Sequence, residues 1–213
     1  MTLRFGRFDE QMRGETIDLI RSLSFLNIRN GPWVAGGAVR RLLTGSAETP
    51  TMGLGFDIDV FLPSEHAPNG IVDHEKIITK LIKCSTRSDN SPQRKNRPQN
   101  IYFKTGVVQL ISNNLFKGPV DLINDFDYTI CMAVTDGYDW IADERFFTDN
   151  ENKILAFNNS MQCVNSAYRL VKYCNCGFTP APGVIGHILK INDAKFAESF
   201  NSDGLLQVAE YVY

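Results

Sequence analysis

The sequence predicts an α+β fold, a small mixed β-sheet backed by helices with a short helical part at the C-terminal end. Three observations predict it. Leu19, Ile20, Leu23 and Leu26, with Ile17, recur at helical spacing between Glu10 and Asn27. The apolar run Trp33-Val34-Ala35 meets Gly36-Gly37 and then the amphipathic run Ala38 to Leu43, a strand–turn–helix signature. Phe56, Ile58 and Val60 alternate with Asp57, Asp59 and Phe61, the period of a strand.

The elements follow in order. The helix over Glu10 to Asn27 precedes the glycine turn and packs on the sheet. In the helix after the turn, Val39, Leu42 and Leu43 share one side, Arg40 and Arg41 lie nearby, and Gly45 supplies the stop. Asp73 to Lys83 reads as a helix with Ile77, Ile78, Leu81 and Ile82 inward. Its acids Asp73 and Glu75 come first and Lys80 and Lys83 last, matching the helix dipole. Cys84 to Asn100 is polar and carries Arg87, Arg94, Lys95 and Arg97. It reads as a mobile, solvated loop, with a phosphate or RNA contact as the competing reading.

Ile101 to Lys104 and Val107 to Ile111 read as a hairpin about Gly106, Pro119 to Asn124 as a short helix begun by proline, and Phe126 to Val134 as a strand ended by Asp136-Gly137. Phe146-Phe147 and Ile154 to Phe157 read as a further small hairpin. Asn165 to Phe178 is an amphipathic helix stopped by Gly177, with Tyr168, Leu170 and Val171 facing a core and Arg169 and Lys172 facing a cleft. After the break Pro180 to Gly183, helices begin near Gly186 and at Leu205. The division expected is residues 1–158 as the sheet domain and 159–213 as a helical segment packed on it.

Composition sets the class. The chain has 213 residues, 43% hydrophobic and 22% charged, with a net charge of -2, ordinary for a soluble globular protein. It is not basic all over, although a local basic track is compatible with that balance. No apolar run approaches the ~20 residues of a membrane span, and the first ten residues lack a signal-peptide core. A cytoplasmic protein with no membrane partner is expected. The five cysteines, an odd number, read as reduced thiols. Cys174-Asn175-Cys176 has one residue between its thiols, unlike a zinc knuckle, and His187 is the one histidine near it. None of the three histidines has a Ser or Cys partner at hydrolase-triad spacing.

The chemistry gathers at the acids and the glycines. Residues i and i+2 of a strand share a face, so Asp57 and Asp59 stand side by side. Two like charges there repel unless something neutralises them. A pair of divalent ions would do so and would align a triphosphate with an attacking oxygen. Two harmless acids on a solvated edge strand are the alternative, but Asp is a poor strand former. Gly36 and Gly37, between strand and helix, let backbone N–H groups approach a phosphate at the helix N-terminus.

Gly36-Gly37-Ala38-Val39-Arg40-Arg41-Leu42-Leu43-Thr44-Gly45 followed by Asp57-Ile58-Asp59 resembles the head domain of CCA-adding enzymes and bacterial poly(A) polymerases, in the polymerase-β-like nucleotidyltransferase superfamily. The family pattern is Gly-Gly-x-Val-Arg-Asp-x-Leu-Leu-Gly and then Asp-x-Asp. This chain departs from it at Arg41, where the family carries Asp. Tyr168-Arg169-Leu170-Val171-Lys172-Tyr173 through Gly177-Phe178 is similar to the family's helix beside the nucleotide site.

The resemblance implies metal-dependent transfer of a nucleoside monophosphate from an NTP to a hydroxyl, with release of pyrophosphate and an RNA, above all a tRNA 3′ end, as acceptor. It implies two Mg²⁺ (or Mn²⁺) on Asp57 and Asp59, and Gly36, Gly37 and Arg40 holding the triphosphate, with Arg169 and Lys172 on nucleotide or acceptor. A third carboxylate is expected on a neighbouring strand. Val107 to Ile111 is the candidate neighbour yet carries Gln109, so Asp127 is taken as the third acid, with Asp121 and Asp125 as alternatives. Gln109 and Arg41 keep a second reading open, a catalytically silent module that binds nucleotide, RNA or protein. A minimal nucleotidyltransferase of toxin–antitoxin type is a third. The short chain suits a compact, phage-type version of the fold, and its oligomeric state is left open.

Overall fold

A computed structural model describes residues 1–45, 56–64, parts of 76–83, 87–88, 99–103, 106–158 and 163–190. Its centre is an eight-stranded mixed sheet. The strands are β1 (Leu3–Arg7), β2 (Trp33–Ala35), β3 (Phe56–Pro63), β4 (Arg87–Ser88), β5 (Gln99–Phe103), β6 (Gly106–Phe116), β7 (Ala133–Thr135) and β8 (Asp139–Asp143). Their spatial order is β1-β8-β7-β2-β3-β6-β5-β4. Only β3 and β6 run parallel; the other pairs in this sheet are antiparallel.

Alternation along β3 sends apolar side chains to both faces. Ile58, Val60 and Leu62 are fully buried and pack with Leu19 and Ile20 of α1 (Glu15–Ser22) and Ala38 and Val39 of α2 (Gly37–Thr44). The expected inward residues Ile77 and Leu81 join the same cluster. On the opposite face Trp33, Ala35 and Phe61 pack under Leu122 and Ile123 of α3 (Pro119–Asp125). A residue such as Leu122, fully enclosed here, adds roughly 1.5–3 kcal/mol by burial.

A third cluster joins the two parts of the chain that the sequence separated at residue 158. Tyr128, Ile130, Cys131 and Leu155 meet Tyr173, Phe178, Val184 and Ile188. Two short strands, β9 (Ile154–Leu155) and β10 (Thr179–Pro180), pair in parallel beside it.

The first helix, expected over Glu10 to Asn27, is shorter, because Leu23 closes it onto Ile20 and a turn follows. The strand expected over Phe126 to Val134 is interrupted by a 3-10 turn, Thr129–Cys131, and resumes only as β7. This run is buried on all sides, so its periodicity does not separate strand from turn. Side chains from the next helix hold the turn: Thr129 Oγ1 donates to Asp149, and Asn150 Nδ2 donates to the Ile130 carbonyl at 3.1 Å.

Phe146 and Phe147 lie in a helix, α4 (Glu144–Glu151), not in a hairpin. Asp143 caps it by accepting from the Arg145 N–H at 2.9 Å. Strands β1 and β8 carry no apolar run long enough to have been read from the sequence. Residues 184–190 are helical after the Pro180 to Gly183 break. Most of the basic stretch 84–100 and the expected helix at Leu205 lie outside the described residues. No helix among the described residues is long and apolar enough to cross a membrane.

Candidate nucleotide site

The apolar lining of the second sheet face ends at Phe61, whose ring meets Phe116 and Phe126 edge-on at 5.9 and 6.0 Å. Beyond it, on the same face of β3, come Asp59, half-buried, and Asp57, exposed. The register confirms the shared face, because Ala35 lies opposite Asp59 and Trp33 opposite Phe61. On the other side β3 pairs with β6, as the sequence suggested, and Gln109 lies opposite Asp59.

The turn after β2 brings a helix start to these acids. Gly36 is the N-cap of α2, with φ 76° and ψ -142°, a backbone region essentially confined to glycine. A Cβ there would sit 3.3 Å from Asp59 Oδ2 and 4.0 Å from Phe126. The missing side chain therefore keeps open the space where the turn, the helix start and the carboxylate converge. Gly36→Ala is expected to cost about 1–3 kcal/mol of stability and to weaken nucleotide binding, read by thermal unfolding with and without NTP. An unchanged melting temperature and affinity would remove the turn from the site. At the far end of α2, Gly45 closes the helix with φ 64° as expected.

Electrostatics single out Asp59. Burial, then the neighbouring Asp57 charge, push its carboxyl up to about 6, while Arg169, Lys172 and Arg41 pull it back. Three cations from two helices thus act on one acid.

The expected site residues separate into two groups. Gly36, Gly37, Asp57 and Asp59 come together, and Arg169 and Lys172 of α5 (Cys163–Asn175) face them electrostatically. Arg40 does not. It is 1% exposed, and its guanidinium stacks over the rings of Tyr173 and Phe178 at 5.2 and 5.4 Å. Its neighbour Arg41 acts on Asp59 electrostatically, with a guanidinium nitrogen 3.7 Å from where a Gly37 Cβ would lie. Helical spacing does not choose between them, because Arg40 stands four residues from Gly36 and three from Gly37 while Arg41 stands four from Gly37.

Asp127 also stands elsewhere. Among the described residues no three acidic, histidine or cysteine side chains gather as a metal-holding group, so Asp127 does not complete a triad with Asp57 and Asp59. The 3-10 turn carries it off the sheet to α5. There Oδ2 accepts from Arg169 Nη1 and from Ser166 Oγ, each at 2.7 Å. Asp127 is 3% exposed, and its Oδ1 is buried without a hydrogen bond. Ser166 and Arg169 are one helical turn apart, so one face of α5 presents both. This phase also corrects the expected core face of α5. Ser166 and Tyr173 are buried and Leu170 partly so, while Tyr168 and Val171 are 75% and 59% exposed.

Asp57 and Asp59 fit a divalent cation: hard oxygen donors share one face, two like charges there raise the cost of ionising Asp59, and the glycine leaves room beside Oδ2. Cys174 and Cys176 are free thiols and form no metal group with His187.

The fold is of nucleotidyltransferase type. The structure is similar to the Thermotoga maritima CCA-adding enzyme complexed with tRNA (TM-score 0.57, 15% identity, 92% of this chain and 47% of that one). It is likewise similar to a CCA-adding enzyme in complex with ATP (TM-score 0.61, 15% identity, 93% and 47%). A CCA-adding enzyme in apo form gives a TM-score of 0.60 at 16% identity, covering 91% and 47%. The chain thus spans about half the length of these enzymes. No curated protein matches it in sequence. The family model for Gad2, described as Gabija anti-defense 2 family protein, matches residues 7–153.

Proposed function

The chain belongs to the Gabija anti-defense 2 family, and on that premise we propose that it opposes the Gabija defence as a metal-dependent nucleotidyltransferase. The observation that carries this reading is the pair Asp57 and Asp59 on one face of β3, met by the Gly36 turn at the start of α2. The reaction moves a nucleoside monophosphate from an NTP to a hydroxyl. The acceptor oxygen bonds to the α-phosphorus, the bond to the bridging oxygen of the β-phosphate breaks, and pyrophosphate leaves with that electron pair. The hydroxyl proton passes to solvent.

A divalent cation held by Asp57 and Asp59 supplies charge neutralisation and alignment of the phosphates. The chain's own residues do the rest. The Gly36-Gly37 turn admits phosphate to the backbone N–H groups and dipole of α2. Arg41 and Lys172 add positive charge beside the acids, and Arg169 does so while fixed by Asp127. Holding the reactants in line is the main source of rate. The complexes of similar CCA-adding enzymes with tRNA and with ATP support an NTP donor and an RNA 3′ end as acceptor.

Gln109 favours a second reading, a silent module that binds its target without turnover, because a neutral amide lies opposite Asp59. One experiment separates the two. The protein is incubated with each α-labelled NTP, Mg²⁺ and extract of cells with or without the Gabija system, beside the Asp57→Asn/Asp59→Asn variant. Label in RNA or protein that requires both acids establishes transfer and identifies the acceptor. Protection from the defence by both proteins, with no label, establishes the silent module.

A further inference from the structure

The sheet register decides how many cations this site is built to hold. Asp57 lies opposite Val107 and Asp59 opposite Gln109 on β6. An amide offers an oxygen but no charge, so the strand that borders the acids contributes no carboxylate. Asp127 is engaged by Arg169 and Ser166, and among the described residues no third acid joins the pair. The ligand charge is that of two carboxylates, matched by one divalent ion.

On the opposite side, Arg41 in the last turn of α2 reaches back to the helix start, and its charge acts on Asp59. A Cβ on Gly36 would lie 3.3 Å from Asp59 Oδ2, and one on Gly37 3.7 Å from Arg41 Nη1. A guanidinium there is always charged and can hold phosphate oxygens with two parallel N–H groups.

We propose that the site takes a single divalent cation, delivered with the nucleotide onto Asp57 and Asp59, and that Arg41 supplies the remaining positive charge to the triphosphate. This rests on the nucleotidyl-transfer reading above. It assigns Gln109 as the residue that fixes the cation number and Arg41 as a nucleotide-binding residue. The cation that arrives already bound to an NTP is then sufficient, and the free protein needs no resident ion.

The test counts Mn²⁺ by electron paramagnetic resonance in the presence of a non-hydrolysable ATP analogue. The wild-type chain is expected to bind one ion per molecule and Gln109→Glu two, because the variant restores an acid opposite Asp59. Gln109→Asp, one methylene shorter, serves if circular dichroism shows that the charge of the isosteric Glu disturbs the fold. Arg41→Ala is expected to keep one ion and to bind the analogue about tenfold or more weakly. Two ions on the wild-type protein would overturn the proposal and leave nucleotidyl transfer standing. One ion on both Gln109 variants, or unchanged affinity in Arg41→Ala, would overturn the roles given to those residues. No nucleotide-dependent ion at all would sink the transferase reading as well.

Discussion

Asp59→Asn is expected to abolish nucleotidyl transfer and, in the same protein without metal, to raise stability above about pH 6. The first effect follows from losing a charge that positions phosphate chemistry worth several kcal/mol, hence about 10³-fold or more in rate. The second follows from the carboxyl itself. Its pKa rises from 3.8 to about 6 on folding, chiefly through burial and then through Asp57. The folded chain therefore holds this proton more tightly than the unfolded chain does. Its contribution to stability is fully present when both states are protonated and is lost as pH rises through the interval 3.8 to about 6. Across that interval the metal-free wild type loses about 1–3 kcal/mol, and the asparagine variant does not. Melting curves of both proteins from acid to neutral pH, with chelator, test this. Curves that stay parallel would show that Asp59 is not strained. Mg²⁺ with NTP should remove the wild type's loss, since binding to the folded state alone stabilises it.

Arg169→Ala is expected to be the most destabilising single change on α5. Asp127 is 3% exposed and accepts two hydrogen bonds through Oδ2, one from this arginine. Removing the part-exposed partner of a buried carboxylate leaves that charge uncompensated and costs about 3 kcal/mol, the low end for a buried pair. For a chain of this size the melting temperature should fall by roughly 6–12 °C. Asp127→Asn in the same background should recover most of the loss, because an amide oxygen still accepts from Ser166 without a buried charge. A thermal double-mutant cycle measures the coupling. A drop in Arg169→Ala that the second substitution fails to relieve would place the arginine's contribution in packing. The wild-type pair carries a functional load too, since Arg169 also lowers the Asp59 pKa.

Much of the sheet and of its acid pair was legible because both follow from short-range rules. Alternation placed Asp57 and Asp59 on one face, and the Gly-Gly turn placed a helix start before them. The parallel neighbour carrying Gln109 was legible as well, since Val107 to Ile111 is an unmistakable apolar strand. What failed was decided by tertiary packing. Tyr128, Thr129, Ile130 and Cys131 are buried, and the backbone of Thr129 and Ile130 is held by the Ala156 carbonyl and the Asn150 side chain, far along the chain. Phe146 and Asn150 are both buried at helical spacing, and Asp143 is the cap that could have revealed α4. Arg40 was expected on the triphosphate because it stands beside the glycine turn in the motif that carries the resemblance. Only the arrival of Tyr173 and Phe178 makes its site an aromatic one.

That aromatic seat has a consequence for how portable the large sheet is. Arg40 belongs to the helix that opens at the glycine turn, whereas its two rings belong to α5 and the segment after it. The Asp127–Arg169 pair crosses the same seam. A fragment cut at residue 158 would keep every strand of the large sheet and both acids, yet it would strip the cover from one buried cation and one buried anion at once. A unit that keeps both charges covered therefore extends at least through Phe178, and a recombination that exchanges the helical part is expected to need matching rings and a matching arginine.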